Sequence, residues 1–352
     1  MGSRILSFIG LFILSAFPAW SQTGEWKDEY SRFTDLTPWV RSSNPAGIAT
    51  LPVDKTSTVR ASLEKKNGGL MDLHESRDCF RPSLDAASYM RISDRITFYS
   101  RMNYSYFKGK DMGGQILMDP YYNPVNFLES VDTTTGTKTL EEYTLEGAMA
   151  YSLNDRLTLA GKVSYQSADY AKRKDPRSYN QWMDLDASLG ARYSLADGKT
   201  AFGVSLNYVK TVETVAEKLF GTIDRQYYCF VDYGGSFGKV EVIDGDNGYL
   251  SVSNERPMFN QFFGGSAQAG FKVGGVDAFL DIGAAYRKGY FGKKASGSVR
   301  FCDFDGMRYN LNARISFKTG NLLNRIDGSW NMMTSLNKEN SYRVSTQPGQ
   351  NP

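Results

Sequence analysis

The sequence predicts an all-β chain, an antiparallel transmembrane β-barrel with short periplasmic turns and long extracellular loops, and three observations predict it. Apolar and polar residues alternate with a period of two over segments of about ten residues. That is the length a tilted strand needs to cross a bilayer, whereas strands of soluble proteins stop near five or six. The 352 residues include 22 Tyr, 21 Phe and 34 Gly, with a mean hydropathy of −0.42. After the first twenty residues no run is apolar for long enough to form a membrane helix. Short turn signals and long polar stretches also take turns along the chain, which is the layout of outer-membrane barrels.

The N-terminus carries the targeting signal. Arg4 is the positive start, Ile5 to Ala16 the apolar stretch, and Ala19-Trp20-Ser21 sets small residues at a cleavage site before Gln22. Residues 1–21 are therefore expected to be a cleaved leader, residues 22–55 a periplasmic or plug segment, and residues 56–352 the barrel of an exported, outer-membrane protein. No cysteine follows the cleavage site to hold a lipid anchor. Cys79, Cys229 and Cys302 are an odd number in an exported chain, which argues against a disulfide framework and leaves room for one pair. A formal charge of +3 with scattered Lys and Arg offers no nucleic-acid surface.

The strands follow in order. In 95–106, Ile96, Phe98, Met102, Tyr104 and Tyr106 share one face, with Arg95, Thr97, Arg101, Asn103 and Ser105 on the other. Tyr143, Leu145, Met149 and Tyr151 alternate with Glu142, Thr144 and Glu146. Leu157, Leu159, Val163 and Tyr165 alternate with Thr158, Lys162, Ser164 and Gln166. Met183, Leu185, Leu189 and Tyr193 oppose Asp184, Asp186, Ser188 and Arg192. Phe202 to Tyr208, Phe263 to Phe271 and Val276 to Tyr286 repeat the pattern, the last with Asp277, Asp281 and Arg287 on its polar face. Tyr309 to Phe317 does so with Arg308 and Arg314. Ser93-Asp94, Asn154-Asp155, Ala196-Asp197-Gly198 and Gly274-Gly275 have hairpin-turn chemistry. Between them, long loops are expected over 67–81, 107–139, 169–182, 212–261 and 288–305.

From a first strand at 56–66 to a last at 326–336 there are eleven strands. Single-chain bacterial barrels have an even number, because the last strand must close on the first. The barrel is therefore expected to be incomplete at the C-terminus, where Ser345 to Pro352 has a loop composition. Sequence downstream of Pro352 tests this.

Asn44, Pro45, Ala46 and Gly47, followed by Ile48 and Ala49, resemble the N-terminal element of the long-chain fatty-acid transporter family of outer-membrane barrels and their type IX secretion relatives. Pro45 fixes φ, and Gly47 has access to positive φ, so the element is a compact turn, either introducing the first strand or plugging the lumen. Trp39, Asp119-Pro120, Leu153-Asn154-Asp155-Arg156, Asp175-Pro176-Arg177, Asn180 and Met183-Asp184-Leu185 resemble a family of Bacteroidota outer-membrane barrels of unknown function. That resemblance implies a compartment, a fold and members longer than this chain. It carries no catalytic or ligand residues.

The polar strand faces hold Glu142, Glu146, Lys162, Asp184, Asp186, Arg192, Asp277, Asp281, Arg308 and Arg314. In a membrane barrel they face the lumen, since Arg or Lys at the lipid midplane costs about 2–4 kcal/mol. There they either pair into networks or line a water-filled path. Tyr104, Tyr106, Tyr151, Tyr165, Tyr193, Tyr208 and Tyr286 suit an interfacial girdle. His74 is the one histidine and reads as a solvated loop residue, so no catalytic site is expected. Asp244-Gly245-Asp246-Asn247-Gly248 has calcium-like oxygens without the downstream Glu, and Asp303 and Asp305 offer less, so no metal or other cofactor is expected. Two functions fit: a channel or transporter for small or hydrophobic solutes, or a protein whose loops, around Tyr227-Tyr228 and Phe259 to Phe263, dock a surface lipoprotein or secretion partner. The partners expected are outer-membrane lipid and a solute or lipoprotein, with no nucleic acid. A soluble exported protein with its apolar faces inward is the third arrangement.

Overall fold

A computed structural model describes residues 37–69, 75–118, 123–129, 134–220, 226–235, 237–243, 256–292 and 300–340. The expected leader, His74, Asp119-Pro120 and Asp244 to Gly248 lie outside these residues. Eleven strands form one antiparallel sheet: β1 (Lys55–Asn67), β2 (Asp78–Ser93), β3 (Ile96–Met112), β5 (Gly136–Ser152), β6 (Leu157–Lys172), β7 (Arg177–Ser194), β8 (Thr200–Lys218), β11 (Arg256–Val273), β12 (Val276–Gly292), β13 (Arg300–Thr319) and β14 (Leu322–Glu339). Three short strands, β4 (Asn126–Glu129), β9 (Tyr227–Asp232) and β10 (Gly238–Ile243), form a second sheet in the order β10-β9-β4. A 3-10 turn spans Pro45–Thr50 ahead of β1.

The large sheet is open, with β1 bonded to β2 alone and β14 to β13 alone among the described strands. The odd number explains this. In an antiparallel series of eleven, the first and last strands run the same way, so the ladder cannot close on itself antiparallel. The sheet is nonetheless strongly curled: Tyr89 of β2 and Asn331 of β14 line one cavity.

The connections 94–95, 153–156, 195–199, 274–275 and 320–321 all lie at one end. Asp197 shapes one of them, accepting from the backbone N–H of Lys199 (2.9 Å) and Thr200 (3.0 Å). These donors hold its carboxyl below the usual range. Asn154 accepts in the same way from Arg156 and Leu157 in the β5–β6 turn. At the far end the expected loops are shorter than the sequence indicated. The stretch 169–182 is mostly strand, with β6 and β7 paired through Ala171 and Tyr179 and joined by residues 173–176. β8 has 19 residues and β13 has 20, not about ten. The hydropathic alternation fades beyond the aromatic row, while the backbone ladder continues on polar residues.

The direction of the faces is clear. Phe98, Met102, Leu145, Met149, Val163, Leu189, Val204, Phe263 and Ile282 are exposed, and Leu206 is 70% exposed. Asp281 and Arg287, on the other parity, are buried. Apolar side chains thus point out of the curl and charged ones into it, the reverse of the soluble arrangement. Outward aromatics form two rows. Tyr104 sits opposite Tyr143, Tyr208 opposite Phe263, and Phe263 opposite Tyr286. Near the short turns, Tyr193 sits opposite Phe202, which meets Phe271 at 5.8 Å. From Tyr143 to Tyr151 the strand rises roughly 27 Å, and tilt brings this to about 20 Å, close to the height of a membrane-barrel apolar band.

Two covers close the inside of the curl. At the short-turn end residues 37–54 fold inward, burying Trp39, Ala46, Ile48 and Leu51 against Tyr89, Ala148, Ala150, Ala160 and Phe279. At the other end the small sheet packs Phe127, Val231 and Ile243 against Val215, Met258, Phe291 and Phe304. Phe259 and Phe263 are strand residues of β11 and not loop anchors, and Phe262 points inward and is buried. Cys79, Cys229 and Cys302 are free and buried, so the pair left open by the sequence is not formed.

Candidate functional site

The inward segment is held by Ser43 and Asn44. Pro45 begins the 3-10 turn and Asn44 caps it, its side chain accepting from the Ala46 N–H at 3.0 Å. The Asn44 amide lies over the β7–β8 seam and donates to the carbonyls of Ala191 (2.9 Å) and Val204 (3.1 Å) and to Gln268 Oε1 (2.9 Å). Gly190 and Gly203 make this approach feasible: a Cβ there would fall 2.1 Å and 2.7 Å from Asn44 atoms. Gly47 is needed for room and not for positive φ, because its Cβ would lie 1.8 Å from the Trp39 carbonyl oxygen. Ser43 donates to Asp281 from both its N–H (2.9 Å) and its hydroxyl (2.8 Å). Gln268 adds bonds to Ser43, Ser266 and Asp281. On the β2 side, the Arg91 guanidinium donates to the Leu51 carbonyl at 2.9 Å.

The charged residues expected in the lumen are all on inward parity, and they divide by role. Asp281 anchors the inward segment. Arg192 stacks its guanidinium over Trp39 at 4.9 Å, while Asp277 and Arg314 line a cavity of about 400 Å³ beside it; Arg314 also pairs with Asp327. Glu142 accepts from Ser105 (2.9 Å) and Gln166 (3.4 Å), and Asp184 accepts from Thr211 (2.7 Å). The remaining four share one cavity of about 450 Å³ above the 3-10 turn: Glu146, Lys162, Asp186 and Arg308. Glu146 and Lys162 pair at 2.7 Å.

The upper cover is latched by charges that sequence reasoning did not single out. Glu129 of β4 pairs with Lys172 of β6 and lies 3.8 Å from Lys138 of β5, all three buried. Lys138 also donates to the Gly113 and Gln115 carbonyls. Asn180 donates to the Ile116 carbonyl (2.8 Å) and to Glu213 (2.6 Å), which accepts from the Met118 N–H (2.7 Å). These groups lie well past the upper aromatic row. Burial pushes Glu217 well above the usual carboxylate range and Lys138 down to about 8. Gln268, by contrast, had a signal: it is a polar residue at an inward position between Ala267 and Ala269.

Residues 45–351, from the inward turn through the whole sheet, match the model of a family of unknown function, DUF6850. The chain belongs to this family. No curated protein matches it. Among solved structures, the outer membrane transporter YddB from Escherichia coli is similar, with a TM-score of 0.39 and 10% identity over 74% of this chain. The chain spans 35% of the length of that transporter.

Proposed function

We propose that this member of DUF6850 is an outer-membrane β-barrel protein whose interior is a path for small solutes, closed by its own N-terminal segment. The observation that carries the reading is the docking of residues 37–54 inside the curl. Ser43 and Asn44 donate hydrogen bonds to β7, β8, β11 and β12, and the Leu51 carbonyl accepts one from Arg91 of β2; a segment merely introducing β1 has no need of them. The outward apolar band and the inward charges support the membrane setting. Planar-bilayer recording of the purified protein tests the path: the intact protein stays closed, and deletion of residues 37–50 opens stepwise conductance. A deletion variant that remains folded and never conducts would overturn the proposal.

A second reading, docking of another outer-membrane protein or a surface lipoprotein, is favoured by β10. It is the outer strand of the small sheet, with Val240 and the neighbouring Phe237 exposed. An edge with apolar residues and no strand partner on its outer side among the described residues invites β-augmentation. Crosslinking from Val240→Cys in intact outer membranes separates the readings, because a pure conduit gives no defined adduct.

A further inference from the structure

The cavity of about 450 Å³ above the 3-10 turn holds an unusual charge arrangement. Lys162 and Glu146 satisfy each other at 2.7 Å. Asp186 on β7 and Arg308 on β13 reach the same cavity from different walls, and neither has an ion-pair partner within 4 Å among the described residues. Arg308 lays its guanidinium over the Phe262 ring, 4.5 Å from the centroid. That stacking covers one face and leaves the N–H edge for a planar acceptor. Opposite charges in a shared, partly dehydrated space attract strongly, yet the strands hold these two apart. Tyr89 lines the same cavity, is only 2% exposed, and its hydroxyl has no hydrogen-bond partner. A buried polar group left in this state costs about 1–3 kcal/mol unless something bonds to it.

We infer that this cavity binds a zwitterionic solute of short-peptide size, its ammonium on Asp186 and its carboxylate on Arg308. The inference deepens the reading of the interior as a solute path by naming the class of solute. A carboxylate meets the guanidinium edge as a bidentate pair. An ammonium meets Asp186, and Asn207, Asn310 and Asn331 offer both donors and acceptors to the peptide groups between. A solute carrying only one charge would leave the opposite wall charge desolvated and unpaired, which is the expensive outcome. The volume lies within the range of small-molecule sites.

Isothermal titration calorimetry of the full chain in detergent, with trialanine, N-acetyl-trialanine and trialanine amide, tests this. Trialanine is expected to bind saturably, and blocking either end to weaken binding by roughly tenfold or more. Asp186→Asn should abolish the discrimination against the acetylated peptide alone, and Arg308→Gln that against the amide alone. Equal binding of all three peptides by the unsubstituted protein, a comparison that needs no variant, would overturn the inference. So would the absence of any trialanine binding at millimolar peptide. Binding without conductance would remove the solute path and leave the site standing; conductance without binding would do the reverse.

Discussion

Replacing Asn44 by Asp changes one atom and should release the inward segment more completely than replacing it by Ala. The amide nitrogen has two hydrogens for three oxygens, on Ala191, Val204 and Gln268. Asn44→Ala removes two such bonds at about 1 kcal/mol each and a helix-type cap of about 1 kcal/mol. The sum of about 3 kcal/mol raises the undocked fraction roughly 150-fold. Asn44→Asp keeps the acceptor for Ala46 but turns a carboxylate oxygen toward the same three acceptors, adding repulsion and desolvation to the lost bonds. Hydrogen exchange at the amides of residues 46–51 reads this directly. Rates should rise about 150-fold in Asn44→Ala and further in Asn44→Asp. If Asn44→Asp exchanges more slowly than Asn44→Ala, the amide is not acting as a donor into the β7–β8 seam, and the account of the anchor is wrong.

Other outcomes follow from the same contacts. Gly190→Ala and Gly203→Ala should accelerate the same amides, while Gly147→Ala, with nothing within 4 Å of the new methyl, should leave them unchanged. Upper-cover stability should pass through a minimum in mildly alkaline solution. The raised Glu217 contributes fully below the ordinary value of 4.5 and loses its contribution as pH rises through the raised one. The lowered Lys138 contributes fully above 10.5 and loses its contribution as pH falls through about 8. Glu217→Gln should flatten the acid limb and Lys138→Met the alkaline limb, measured by exchange at residues 126–129 corrected for its intrinsic pH dependence. Cys229 and Cys302, both pushed up to about 12 by burial, should resist a polar maleimide until the upper cover opens, so labelling rates report that opening. Leu206→Arg on the outer face should lower folding stability in bilayers by about 2–4 kcal/mol, measured by urea titration.

The period of two was enough to find the eleven strands and to divide their residues between faces, because register leaves no other way to place Asp184, Asp186 and Ser188 together. It could not say which face turned inward; that depends on curvature, which is a property of the whole sheet. Strand ends were hidden where outward residues become polar, as at Lys210 beyond Tyr208, since pairing continues there without a hydropathic trace. β4, β9 and β10 were lost inside expected loops because they are short and mixed in character. The latch of Glu129, Lys138 and Lys172 joins residues on three different strands, and nothing local marks them as neighbours. Asn44 to Gly47 was visible as a turn. Its role in filling the curl depended on Gly190 and Gly203, whose smallness only makes sense once Asn44 is lying on them.

The two covers are fastened by different residues: Ser43 and Asn44 with Gln268, Asp281 and Arg91 below, and Glu129, Lys138 and Lys172 with Asn180 and Glu213 above. Their openings are therefore close to independent events, and both ends of the interior are clear together only when the two coincide; removing residues 37–50 leaves the upper opening alone to set that frequency. If each opened at a cost of about 3 kcal/mol, either would be ajar about once in 150 samplings and both together roughly once in 25,000. Closure at both ends lets each cover be loose enough to move while the space between them stays shielded.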